Sequence, residues 1–233
     1  MKFVEFVSVD KTFKSNHTEV HALKDLSFEI EEGEICVIVG EENAGKTTLL
    51  NLLGGLDTVT KGSLILSMVD ISDFSKKQFT FYRRNNIGFV FQFQDLISNL
   101  TVLENVEIAS QLSKLSLTPE QALKEVGLEK RMFHFPAQLS EGEQQRVTIA
   151  RSLTKNPKLM LCDEPTGDLD YQTGKDILML LQELNRKYGM TTVIATRNTA
   201  LAAMANRVVQ LSQGRIDRVI LNPISTPVEW IEW

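Results

Sequence analysis

Hydrophobic and polar positions alternate along the first thirty-odd residues in the manner of strands. In "LSFEIEEGE", Leu26, Phe28 and Ile30 fall on one face and Ser27, Glu29 and Glu31 on the other, as a strand with one buried side requires. The pattern then changes. "EICVIVG" is a continuous, mostly β-branched run closing on Gly40, which predicts a strand buried on both faces. "GKTTLLNLLGGL" predicts a helix opening at that glycine loop. Further buried strands are predicted at "IGFVFQ", "KLMLCDEP", "MTTVIATR" and "RVVQLSQG", with helical patterns between the last three. The clearest of these is "TGKDILMLLQELNRKYG", whose Ile177, Leu180, Leu181 and Leu184 share one stripe. Strands alternating with helices imply a mainly parallel α/β sheet.

Residues 92–151 break this rhythm. They hold several helical patterns and no convincing strand, and "TVLE" (101–104) and "SEGE" (140–143) both have the capping-box form. The expectation is one domain over residues 1–233, with an α/β core at 1–91 and 152–233 and a helical subdomain inserted at 92–151. In the tail "NPISTPVEWIEW", Trp230 and Trp233 are expected to pack on the domain's own surface, a partner contact being the alternative.

Bulk properties change this picture little. A chain of 233 residues can bury a core of this kind with an insert, and 42% hydrophobic with 24% charged residues is ordinary for a globular protein. The net charge of -5 argues against a nucleic-acid partner, because phosphate contacts need clustered Lys and Arg. Cys36 and Cys162 sit in apolar runs and are expected to be buried reduced thiols. The opening "MKFVEFVSVD" lacks the apolar segment of a signal peptide. No run approaches the ~20 apolar residues that span a bilayer. A cytoplasmic chain is expected, reaching a membrane only through a partner.

Three segments carry chemistry. Gly40-x-x-x-x-Gly45-Lys46-Thr47 has the full phosphate-loop form, after a buried strand and before a helix. In such a loop the backbone N–H groups of Gly40, Glu41, Glu42, Asn43, Ala44, Gly45, Lys46, Thr47 and Thr48 surround a polyphosphate. Lys46 neutralises its β/γ oxygens and Thr47 offers a hydroxyl to Mg²⁺, while the helix end points its positive dipole at the same anion. The second segment, "KLMLCDEP", ends a strand in Asp163-Glu164. Alone that is an ordinary solvated strand end. Beside a phosphate loop, Asp163 suits Mg²⁺ and Glu164 suits the attacking water. The third, "LSEGEQQRVTIARSL" (139–153), places Ser140 as N-cap of a helix carrying Val147, Ile149, Ala150 and Leu153. Periodicity says no more of it than that.

Together, "GEENAGKTT", "FVFQ", "LSEGEQQRVTIARSL", "LCDEPTGDLD" and "VIATRN" resemble the ATP-binding subunits of ABC transporters, in order and spacing, over about residues 4–216. "GFVFQFQDLISNLTVLENVE" and "DEPTGDLD" look like the subgroup serving macrolide-export, lipoprotein-release and cell-division (FtsX-like) permeases, and the ending "EWIEW" is similar to Gram-positive members of it. The resemblance implies a two-lobed ATPase with an N-terminal antiparallel β subdomain. It would dimerise head to tail as a homo- or heterodimer, with two ATPs sandwiched between one subunit's phosphate loop and the other's signature helix. It implies ATP and Mg²⁺ as cofactors and a peripheral position on the inner face of the cell membrane, held there by the permease.

By the same resemblance, Phe13 would stack on adenine, in place of the more usual Tyr. Gln92 would touch Mg²⁺ and the attacking water. Ser140, Gly142 and Glu143 would face the partner's γ-phosphate, Glu164 would be the general base, and residues 168–170 would link the two sites. Residues 91–96 and the helical lobe would receive a permease helix.

Four positions depart from the family pattern around the phosphates. A small residue is usual where Glu42 sits, Gly where Asn43 and Glu141 sit, and the γ-phosphate-sensing His where Arg197 sits. Asn43 is the mild change, since Asn tolerates left-handed backbone. Glu141 suits the helix dipole, but at about 6 Å and an effective dielectric of about 20 it would repel one phosphate charge by roughly 3 kcal/mol. Arg197, always protonated, is expected partly to offset Glu42 or Glu141, and Glu41 to face outward.

The function expected is an ATPase that couples MgATP-driven dimerisation and hydrolysis to a permease in export or extraction. The alternative is a nucleotide-binding regulatory subunit with slow or partner-dependent hydrolysis. A DNA- or ribosome-directed ATPase is disfavoured, because the chain has no coiled-coil or paired-domain insertion.

Overall fold

A computed structural model describes residues 1–15, 18–92, 95–111 and 117–232. The N-terminal alternation becomes two long antiparallel strands, β1 (Lys2–Ser15) and β2 (Thr18–Glu31). Leu26, Phe28 and Ile30 are buried as their period-two spacing required, and the Phe28 ring stacks on Phe6 directly opposite, centroids 4.6 Å apart. Such cross-strand pairs pin the register.

β3 (Ile35–Val39) is buried at every position and runs into α1 (Lys46–Leu53). β4 (Lys61–Leu66) and the two-residue β5 (Val69–Asp70) follow, completing a four-stranded antiparallel sheet in the order β2-β1-β4-β5. Then come α2 (Lys76–Asn86) and β6 (Ile87–Val90).

After β6 the described chain is helical: α3 (Val102–Ser110), α4 (Pro119–Glu125) and α5 (Glu141–Leu153). Both expected capping boxes form, Thr101 with Glu104 and Ser140 with Glu143. β7 (Leu159–Asp163), α6 (Tyr171–Tyr188), β8 (Thr191–Thr196), β9 (Arg207–Ser212) and β10 (Arg215–Leu221) complete the chain. Between β8 and β9 the connection is a short 3-10 helix, Thr199–Met204, in place of an α-helix. Asn198 bonds the Ala200 N–H at its start, and the Asn222 side chain ties down the Ala202 and Ala205 carbonyls at its end.

These strands build a six-stranded sheet in the order β10-β9-β3-β8-β7-β6, parallel except for the β9–β10 hairpin. Alternate residues of β3 serve two different cores. Val37 and Val39 face a cluster with Val147, Ile177 and Leu181, while Cys36 and Ile38 face one with Leu49, Leu52 and Phe28. That explains the unbroken apolar run: neither face of the strand meets water. Each fully buried Leu, Ile or Val contributes about 1.5–3 kcal/mol. Cys36 and Cys162 are unpaired and buried, as expected, and burial pushes the Cys36 thiol up to about 12.

The tail corrects one expectation. Trp230 is 77% exposed, while Val228 and Ile231 are buried. The cause is the 3-10 turn Val228–Trp230, which places residues i and i+3 on one side. Val228 and Ile231 therefore enter the core together and Trp230 points away from it. Trp233, and with it the other half of that expectation, lies outside the described residues. Among the described residues no helix is long and apolar enough to cross a membrane.

Candidate active site

The parallel strands β3, β7 and β8 deliver their carboxyl ends to one cleft. The loop leaving β3 passes so close to β9 that a Cβ on Gly40 would lie 2.4 Å from the Leu211 carbonyl oxygen. Asn43 then takes a left-handed conformation (φ 61°) and Gly45 a further positive φ of 106° as N-cap of α1. Lys46 folds back over the loop, its Nζ donating to the carbonyls of Gly40 (2.7 Å) and Glu41 (2.8 Å). Burial draws the Lys46 ammonium below the usual lysine range, and the neighbouring Glu164 and Asp163 carboxylates oppose that shift. Glu41 is exposed and stays out of the cleft, as expected, whereas Glu42 lines it.

Thr47, in the first turn of α1, donates Oγ1–H to Asp163 Oδ2 at 2.8 Å. Burial raises the Asp163 carboxyl above the usual carboxylate range, against the opposing effects of that hydrogen bond and of Lys46. Glu164 follows with a left-handed φ of 43°. Its N–H donates to the Ala195 carbonyl of β8 at 2.9 Å. Its Oε1 lies 3.9 Å from Lys46 Nζ and 3.5 Å from Arg197 Nε, and its Oε2 accepts from the Arg197 backbone N–H at 3.3 Å. Arg197 was expected to offset Glu42 or Glu141. The carboxylate it pairs with is Glu164, because both residues leave adjacent parallel strands at the same edge. Gln92 Nε2 sits 3.3 and 3.4 Å from the two Asp168 carboxylate oxygens.

The cleft holds about 740 Å³ and brings together Phe13, Glu42, Asn43, Ala44, Gly45, Lys46, Thr47, Thr48, Gln92, Asp163, Glu164 and Arg197. Phe13 is part-exposed, with Lys11 Nζ 4.8 Å above its ring. Sequence reasoning missed Val20, His21, Ala22 and Lys24 of β2 and Gln213 and Gly214 of the β9–β10 turn, all of which line the same cleft. Two backbone bonds bring them in, Lys24 N–H to the Gly214 carbonyl at 2.7 Å and Gly214 N–H to the Ala44 carbonyl at 3.0 Å. No local pattern marks such long-range contacts.

Ser140, Gly142 and Glu143 are elsewhere, at the start of α5, where Ser140 is exposed, Glu143 half-buried and Gly142 buried. Glu143 accepts from the Ser140 N–H at 3.0 Å and from Arg131 Nε at 3.1 Å, and the Ser140 hydroxyl accepts from the Glu143 N–H at 3.2 Å. The expected permease-facing segment 91–96 includes Phe93 and Gln94, which lie outside the described residues.

The cleft suits a Mg²⁺-nucleoside triphosphate. Its loop is closed where a Cβ on Gly40 would collide. A buried ammonium adjoins it, and the Thr47–Asp163 pair offers the hard oxygen donors that Mg²⁺ prefers. A glycine loop, Lys46, Thr47 and a strand-end Asp-Glu pair at the carboxyl edge of a parallel sheet define a P-loop nucleoside triphosphatase. The ABC transporter family model matches residues 23–167, and the chain belongs to that family.

The ABC transporter ATP-binding protein YtrE of Bacillus subtilis is 40% identical over 220 residues, covering 91% of this chain and 95% of YtrE. The lipoprotein-releasing system ATP-binding protein LolD of Geobacter metallireducens is 40% identical over 218 residues, covering 91% and 97%. Among solved structures, a dimeric post-hydrolysis state of the ATP-binding cassette MJ0796 bound to ADP and Pi has a TM-score of 0.85 at 37% identity. It covers 94% of this chain and 98% of its own. The chain is therefore an ABC ATPase cassette, with ATP and Mg²⁺ as its cofactors.

Proposed function

We propose that this chain is the ATP-hydrolysing subunit of a transporter of the lipoprotein-release type. It acts as a dimer on an FtsX-like permease in export or extraction, at the inner face of the membrane. The observation that carries the reading is the convergence of Lys46, Thr47, Asp163 and Glu164 in one cleft, while Ser140 and Gly142 lie outside it on α5. That separation leaves the α5 N-terminus to serve a second subunit's cleft. It is supported by the dimeric MJ0796 structure and by relatives named as LolD.

In this reading Thr47 and Asp163, with Gln92, would hold Mg²⁺, which would supply neutralisation of the triphosphate's charge. Lys46 and the loop N–H groups bind the triphosphate, and Phe13 takes the base. Glu164 orients the water that attacks the γ-phosphorus in line and takes its proton, while ADP leaves with the bridging oxygen. The helical section 92–151 forms a lobe between this site and the permease. Steady-state ATPase assay of Glu164→Gln tests the reading: turnover should vanish while nucleotide binding persists. Unchanged turnover overturns it.

A second reading, slow or partner-dependent hydrolysis, is favoured by the Arg197–Glu164 ion pair and by Glu141 in the first turn of α5. Arg197→His and Glu141→Gly should then raise the rate several-fold, about 1 kcal/mol of barrier. No gain in either variant, beside a brisk parent enzyme, excludes it.

A further inference from the structure

Lys11 is a buried cation on a strand, only 7% exposed. A buried ammonium is costly unless it is paired and hydrogen-bonded. This one is held by two oxygens, its Nζ donating to Asp57 Oδ1 at 2.5 Å and to the Thr58 carbonyl at 2.9 Å. The same Nζ stands 4.8 Å over the Phe13 ring. β1 is bulged here, with register shifts on either side of Lys11, and a bulge re-aims the side chains beside it. The oxygen partners come from the turn just past α1, where the Leu56 and Asp57 N–H groups donate to the Asn51 carbonyl at 2.9 and 3.2 Å. That turn is stitched to β1 twice more, by Thr60 N–H to the Asp10 carbonyl (2.8 Å) and by Thr12 N–H to the Thr60 hydroxyl (3.0 Å). Lys11 thus joins the far end of α1, the helix that opens at the phosphate loop, to an aromatic ring that lines the cleft.

We infer that Lys11 is a positioning residue for the base of the nucleotide, acting through Phe13. An aromatic face is electronegative, so an ammonium over one face holds the ring in place and occupies that face. The base is left the other face. The ammonium also draws π-density toward itself, which makes the opposite face a better partner for an electron-rich purine. A Phe ring has no hydroxyl by which a hydrogen bond could fix it, and Lys11 supplies the restraint from outside the ring. Because Lys11 is anchored on Asp57, the ring is placed relative to α1, and so relative to the loop at the other end of that helix. Base platform and phosphate loop form one frame. The inference rests on the reading of the cleft as an ATP site in which Phe13 takes the base.

The test uses the neutral pair Lys11→Met/Asp57→Asn, which removes the cation without stranding a buried carboxylate. It is made in the full chain, alone and combined with Phe13→Ala. MgATP binding should weaken about fivefold in the neutral pair and about tenfold in Phe13→Ala, which removes the base–aromatic stack. Added to Phe13→Ala, the neutral pair should have no further effect, since the ring through which Lys11 acts is gone. Inorganic tripolyphosphate with Mg²⁺, which has no base, should bind every variant within about twofold of the parent. Lys11→Arg keeps a cation over the ring and should bind MgATP better than the neutral pair does. Unchanged MgATP affinity in the neutral pair, beside a loss in Phe13→Ala, overturns the inference. So does an equal loss toward tripolyphosphate, a further loss on top of Phe13→Ala, or no recovery in Lys11→Arg. If Phe13→Ala itself leaves MgATP binding intact, it is the reading of Phe13 as the base platform that fails, and the inference with it.

Discussion

Thr47 Oγ1 donates to Asp163 Oδ2 at 2.8 Å, joining the first turn of α1 to the last residue of β7 across 116 positions of sequence. The bond orients the carboxylate and holds an acid that burial has pushed above its usual range. An Asp whose folded pKa is raised costs stability when ionised. The cost is absent below the unfolded value of about 3.9 and grows as pH climbs through the raised folded value.

Asp163→Asn should therefore make the nucleotide-free protein melt higher at pH 7 and leave it unchanged near pH 3, by scanning calorimetry. The same substitution, and Thr47→Val, should weaken Mg²⁺-dependent ATP binding about tenfold or more, while Thr47→Ser should not. A melting gain equal at both pH values would show that charge burial is not its cause.

Gly142 is constrained by packing. A Cβ there would sit 2.3 Å from Thr173 Cγ2, at the start of α6. Gly142→Ala should push the N-terminus of α5 away from α6 and cost about 1–3 kcal/mol by urea unfolding, the scale of overpacking. Thr173→Ser removes the offending methyl and keeps the hydroxyl that donates to Asp170 at 2.5 Å. The double variant should regain most of the loss, and failure of that rescue would place the strain elsewhere.

What the sequence made legible follows from how local each signal is. β3, β6, β7, β8 and β9 were readable because strands buried on both faces need unbroken apolar runs, and the boxes at Thr101 and Ser140 because a cap spans four residues. β5 was not, having two residues and both exposed. α2 was missed because only Phe79 and Tyr82 of its eleven residues are buried, too few to form a stripe. At the site, the phosphate loop and the Asp163–Glu164 pair are contiguous motifs. Val20, His21 and Gln213 reach the cleft only through the pairing of distant strands. The partner of Arg197 was likewise invisible, since Glu164 lies 33 positions away at the end of a different strand.

Glu143 gives α5 a pH dependence. The Ser140 N–H bonded to its carboxylate, then Arg131, hold it below the usual glutamate range. A depressed folded pKa contributes stability that is present above the unfolded value of about 4.3 and lost as pH falls through the folded one. Urea midpoints measured from pH 3 to 6 should fall on the acid side in the parent and fall less in Glu143→Gln. The difference should be small, because the Arg131 pair is partly exposed. Ser140→Ala should cost about 1 kcal/mol by loss of the cap, at every pH in that range.

The tail separates packing from exposure within four residues. Ile231 is 5% exposed and Val228 1%, whereas Trp230 between them is 77% exposed. Lys175 Nζ of α6 donates to the Ile231 carbonyl at 3.2 Å, and the Gln182 side chain accepts from the Val228 N–H at 3.4 Å. The segment is thus anchored through backbone and aliphatic contacts to α6. Ile231→Ala should cost about 2–5 kcal/mol, as a large-to-small core change does, whereas Trp230→Ala should stay within about 0.5 kcal/mol, as an exposed substitution does. Chemical unfolding of the two variants decides it. A loss at Trp230 matching that at Ile231 would mean that the indole is covered in solution and that the 3-10 turn does not set the tail's buried face.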